Sequence, residues 1–79
     1  MKIQLDLDYF ELKDGTFKPH FSIIEWMGDK MNHRPYNIFM KEYPDSREDA
    51  LKIAKKNGIE EIVNLYGEDV EFTITYRKD

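Results

Sequence analysis

Cysteine is absent from the 79 residues, and that absence removes two ways of stapling a small fold. Neither a disulfide nor a thiolate metal site can form, and the composition suits a reducing compartment. Long apolar runs are missing as well. Nothing approaches the ~18 residues of a bilayer span, and the opening MKIQLDLDYF lacks the uninterrupted apolar stretch of a signal peptide. A cytoplasmic protein with no membrane segment is therefore expected. Glycine is scarce and scattered, at positions 15, 28, 58 and 67, which leaves no glycine-rich phosphate loop. Excess positive charge is also lacking, since sixteen acids against twelve bases leave a net charge of −4. Neutralising phosphates takes clustered lysine and arginine, so the balance weighs against nucleic-acid binding.

What is present has to do the work of folding. A chain this short makes one domain, residues 1–79, and buries only roughly 60% of its unfolded surface. Its eleven aromatic residues (five Phe, five Tyr, one Trp) must supply much of that burial. Charge is unevenly spread. Glu60, Glu61, Glu68, Asp69 and Glu71 form an acidic stretch without a base, whereas Lys30, Arg34 and Lys41 face only Asp29 between residues 27 and 41.

Periodicity gives the elements. In KIQLDLDY, Ile3, Leu5, Leu7 and Tyr9 alternate with Gln4, Asp6 and Asp8, the pattern of a half-buried strand. Phe10 and Leu12 fall on the other parity, which suggests a bulge or an edge crossing onto another apolar patch. KDGT marks a hairpin at Gly15. The returning strand FKPHFSIIEWM contains Pro19, which predicts an edge position or a bulge there because proline cannot donate to a ladder. PYNIFMKEY reads as the third strand, making residues 28–35 a long connecting loop. YPDSREDALKIAKKNG is the clearest helix, with Ser46 as N-cap, Asp49 three residues on, and Ala50, Leu51, Ile53 and Ala54 as its apolar stripe. Asn57-Gly58 reads as its stop. Ile59, Ile62, Val63 and Tyr66 have helical spacing, giving a second short helix or a continuation through Gly58. Val70, Phe72, Ile74 and Tyr76 alternate in a closing strand. The order β-β-β-α-(α)-β predicts an α+β fold, one mostly antiparallel sheet with a helical layer on one face.

No constellation of catalytic or metal-binding residues emerges. His20 and His33 match no ligand spacing and read as surface histidines, so no metal or other cofactor is expected. Ser22 and Ser46 are the only serines, and Ser46 is accounted for as a cap. Asp6 and Asp8 share one strand face about 7 Å apart, a spacing any polar alternation produces. An open sheet face would leave them solvated, without the environment that separates the pKa values of a catalytic pair. A non-enzymatic protein is expected.

The stretch WMGDKMNHRPYN concentrates Trp, Met, Tyr and Arg, the types enriched in interface cores. Trp26, Lys30, His33, Arg34 and Tyr36, with Phe39 just beyond, are the candidate contact residues. Phe10, Leu12, Ile24, Trp26 and Phe39 lie off the main parity: either bulges rotate them into the same core, or apolar groups on an uncovered face call for a partner, commonly a second copy. The expected function is protein binding, including homodimer formation. Among small acidic chains without cysteine, phage-type or mobile-element inhibitors are an analogy for such a role. The competing expectations are a ligand or enzymatic pocket between sheet and helix, or a weak RNA-binding surface.

Overall fold

Strict alternation builds β1 (Lys2–Glu11), which forms ten consecutive pairs with β2 (Phe17–Met27). Between them, Asp14 accepts hydrogen bonds from the Thr16 amide (3.0 Å) and hydroxyl (2.6 Å), fixing the KDGT turn. The pairing runs without a bulge, so Phe10 simply takes the face opposite Leu5 and Leu7. β3 (Lys30–Asn37) pairs with β2, α1 (Arg47–Tyr66) crosses the sheet, and β4 (Thr73–Tyr76) returns parallel to β1. The computed structural model describes residues 1–78, in which the strand order is β3-β2-β1-β4. It is an α+β fold, with one mostly antiparallel sheet and one helical layer.

The connection between β2 and β3 is much shorter than the sequence suggests. Met27 pairs with Lys30, so Gly28 and Asp29 alone make the turn. Gly28 has φ +65°. Positive φ at the first central residue is the type II′ pattern, which matches the twist of the flanking strands. Residues 30–37 are therefore strand, and residues 38–46 are the true connection to α1. Pro19 also departs from expectation, because it lies buried in β2, a central strand. Its missing donor falls on the β3 side, one residue past the end of β3. There the Ile38 amide donates to the Pro19 carbonyl (3.4 Å), and no return bond is required.

The helix is continuous through Gly58. Ser46 caps it as the sequence predicts, its Oγ accepting from the Asp49 amide at 3.1 Å. Ser46→Ala should cost about 0.5–2 kcal/mol, read as a lower urea midpoint at unchanged slope. The actual stop is Gly67, with φ +95° and its amide on the Val63 carbonyl at 2.8 Å. Lys55 and Lys56 thus sit mid-helix rather than in the last turn. Ala50, Ala54, Gly58 and Ile62 are the buried helical residues, spaced four apart. Two alanines and a glycine in that row let the helix axis approach the sheet closely. A β-carbon built on Gly58 would lie 2.5 Å from Leu5 Cδ1, so glycine serves here as a space, not a stop.

The core is the layer between: Ile3, Leu5, Leu7, Phe21 and Ile23 from the sheet against Ala54 and Ile62. Tyr36, Ile38, Leu51, Ile59, Tyr66, Val70, Phe72 and Ile74 close its rim. Phe21 and Tyr36 stack with centroids 4.7 Å apart, and Tyr9 meets Phe17 edge-on at 5.5 Å. Val70 and Phe72 pack against the core from outside the short β4, while Tyr76 shares the face of its partner Leu7 but stays half exposed at the edge strand. No helix among the described residues is long and apolar enough to cross a membrane.

Candidate protein-contact surface

Because side chains alternate along a strand, the β2–β3 hairpin divides the six candidate contact residues between two faces. Trp26 and His33 belong to the face away from α1. Lys30, Arg34 and Tyr36 belong to the helix side, and Phe39 lies beyond the end of β3. They do not form one surface.

On the helix side, Arg34 joins a local polar cluster. Its Nη2 is 3.8 Å from Glu25 Oε1, which also accepts from Asn32 Nδ2 at 2.7 Å. The Tyr66 hydroxyl donates to Glu25 Oε2 at 2.5 Å, tying the end of α1 to β2. The Tyr66 bond, then the Asn32 bond and the Arg34 charge, hold the Glu25 carboxyl below its ordinary value against the opposing effect of burial. Burial first, and Glu25 second, push the Tyr66 hydroxyl up to about 12. Arg34 is thus part of what fastens the helix end. Tyr36 is engaged in its stack on Phe21, and Phe39 carries the Lys18 ammonium 4.2 Å over its ring.

The other face has no helical cover, yet its centre is buried. Asp6, Asp8, His20, Ser22 and Ile24 are each less than a tenth exposed. β1 and β2 are central strands flanked on both sides, and the chain after β4 adds cover over Asp6 and Asp8. Arg77 Nε lies 3.3 Å from Asp6 Oδ2. Lys78 Nζ lies 3.6 Å from Asp8 Oδ1 and donates to the Tyr9 carbonyl at 2.6 Å. The two carboxylates are therefore shielded ion-pair partners, not solvated strand polars. His20 is likewise buried, with its ring 5.1 Å from that of Phe10 and its Nδ1 lacking any hydrogen-bond partner. No group of three His, Asp or Glu side chains among the described residues is placed to hold a metal ion.

A polar chain runs across this face to Trp26. Trp26 Nε1 donates to Gln4 Oε1 (3.0 Å), Gln4 Nε2 donates to Thr75 Oγ1 (3.0 Å), and Thr75 Oγ1 donates to Asp6 Oδ1 (2.8 Å). The indole is therefore held in one orientation while 38% of the residue stays exposed. Met31, its cross-strand partner, is 52% exposed, and Met1 and Met27 are also open at this end of the sheet. Beside the indole is an open hollow of about 620 Å³ lined by Met1, Lys2, Gln4, Glu71, Phe72 and Trp26 itself, among others. Reading residues 28–35 as a loop conceals Met31 as a neighbour of Trp26, and only the two-residue turn reveals it. Gly28 followed by Asp29 is the signal that could have found it.

Gly58 packs directly on Leu5 between helix and sheet. Toward the β3 margin, sheet and helix leave an open groove of about 330 Å³, lined by Phe21, Tyr36, Asn57, Glu60, Glu61 and Asn64, among others. Searches for similarity find no family, no curated protein and no solved structure that matches this chain.

Proposed function

We propose that the chain is a small, non-enzymatic protein-binding domain of the cytoplasm, and that its contact surface is the Trp26 end of the uncovered sheet face. The observation that carries this reading is the fixed, half-open indole. Trp26 is oriented by Gln4, flanked by Met31 and set beside a hollow. Aromatic anchors in such settings dominate binding energy because they bury large area at small rotamer cost. Methionine adds a polarizable, adaptable surface that suits protein partners. Lack of cysteine supports the cytoplasmic part of the reading, and an inhibitor of the phage or mobile-element type is a setting that size and acidity suit.

The test uses the single tryptophan as both anchor and reporter. A partner retained from host extract by the wild-type protein is purified and titrated, and Trp26 emission should shift to the blue as its ring loses water. Trp26→Ser should weaken that affinity by about 30-fold or more, as loss of an interface anchor does. Its stability cost should stay below the about 3–5 kcal/mol of a fully buried ring. Lys52→Ala, exposed on α1 across the sheet, should leave affinity unchanged. Undiminished binding by Trp26→Ser would overturn the assignment.

A further inference from the structure

β3 is the outermost strand on its side of the sheet. Which of its backbone groups are free follows from pairing parity. The Ile38 amide bonds to the Pro19 carbonyl, and antiparallel pairs alternate between bonded and unbonded. Lys30, Asn32, Arg34 and Tyr36 therefore bond back to β2, while Met31, His33, Pro35 and Asn37 turn their backbone groups outward. Pro35 escapes the usual proline penalty because its nitrogen lies on the free side. The free edge offers four carbonyls and three amides.

Charge on this strand runs against the rest of the chain. Residues 30–37 hold Lys30, His33 and Arg34 with no acid, in a protein of net charge −4. The Arg34 side chain remains 47% exposed beside Glu25. At the far end the sign reverses, where Glu60 and Glu61 line the groove next to Tyr36 and Asn37.

We infer that the outer edge of β3 accepts an extended acidic segment of a partner protein as an added strand, with the acids opposite Lys30 to Arg34. Main-chain hydrogen bonds supply the attachment and the charges supply selectivity. A second copy fits poorly. Antiparallel self-pairing that uses all four outward residues sets Met31 against Asn37 and His33 against Pro35. It also places Arg34 opposite the same residue of the second copy, and like charges there repel. Two rungs would be lost to the two prolines, against one with a proline-free partner strand. The inference rests on the reading of the chain as a protein-binding domain but uses backbone atoms of β3 rather than the Trp26 ring.

The probe is a labelled octapeptide with glutamates on alternate residues of one half and valine and threonine elsewhere, followed by anisotropy at low ionic strength. It should bind about tenfold or more tighter than its lysine counterpart, in line with interfacial charge complementarity. N-methylation of one alternate set of peptide amides should abolish binding, and of the other set should leave it intact. His33→Pro, which deletes an outward amide and spares the β2 ladder, should weaken binding about tenfold with an unchanged circular dichroism spectrum. Pro35→Val, which adds the fourth amide, should strengthen it. No binding, equal affinity for the acidic and lysine peptides, or indifference to N-methylation would overturn the inference on the wild-type protein alone. So would a wild-type dimer that His33→Pro dissociates. A Trp26-dependent partner surviving any of these results would retain the contact face and remove the edge.

Discussion

Leu5→Ala is expected to remove about 2–5 kcal/mol of stability, the range for emptying a fully buried leucine site. Leu5 has no exposed surface and belongs to the core cluster facing α1. Natural domains hold only about 5–15 kcal/mol in total, and a 79-residue chain belongs at the low end. The variant should therefore be partly unfolded at ambient temperature. The informative step is its combination with Gly58→Ala. Alone, Gly58→Ala gains about 0.8–1.0 kcal/mol of helix propensity. It also forces a β-carbon to 2.5 Å from Leu5 Cδ1 and 3.2 Å from Cγ, both in a site with no slack. Overpacking costs about 1–3 kcal/mol, so the single change should be net destabilising. With Leu5 cut back to alanine, the clash disappears and only the helix gain remains. The double variant should then be more stable than Leu5→Ala, by about 1 kcal/mol in urea titrations. Strict additivity would mean that the helix and β1 can separate to admit a side chain, and that Gly58 is not constrained by packing.

That pair of residues also marks where sequence patterns reach their limit. The alternation in β1 and the cap at Ser46 are local signals, and both predict the observed structure because nothing distant competes with them. Asn57-Gly58 resembles a helix stop for equally local reasons. Its true role depends on Leu5, more than fifty residues away in the chain, and no window around Gly58 contains that information. The apolar spacing at Ile59, Ile62, Val63 and Tyr66 is helical, but it continues α1 rather than opening a second helix. Pro35 misleads in the same way. Proline ordinarily marks a strand boundary, and here it lies within β3 because its nitrogen faces the free edge.

The misplacement of β3 propagates to the candidate site. Once residues 28–35 are taken as a loop, Trp26, Lys30, His33 and Arg34 can all be imagined on one surface. Strand alternation forbids it, and the register sends Trp26 and Arg34 to opposite faces. The shielding of Asp6 and Asp8 is not local either. Arg77 and Lys78 fold back to pair with them over a face that the β-β-β-α-β order alone leaves bare. Composition shows the Trp26 neighbourhood to be rich in interface residue types, but the grouping within it is a property of register.

Tyr66→Phe should cost about 1.5–3 kcal/mol near neutral pH, the range for a hydrogen bond to a charged group, and should change the pH dependence at both ends. Glu25 is held below its ordinary value of 4.5, with the Tyr66 hydroxyl as the largest cause. A depressed carboxyl contributes stability that is complete above the unfolded value and is lost as pH falls through the lower folded value. Tyr66 is shifted the other way, from 10.0 to about 12. Its contribution is complete below pH 10 and is lost as pH rises toward about 12, because the unfolded chain releases the proton first. Phenylalanine cannot ionise, so the alkaline loss assigned to this residue should vanish. The acid limb should flatten as well, because the main force depressing Glu25 is gone and only Asn32 and Arg34 remain. Melting temperatures from pH 3 to pH 11 would show both changes at once. If Tyr66→Phe left the acid limb as steep as in the wild type, Arg34 and Asn32 would be holding Glu25 unaided. Arg34→Ala would then be the damaging change, and a stability loss at Arg34 would have to be subtracted before any effect on partner binding could be credited to the β3 edge.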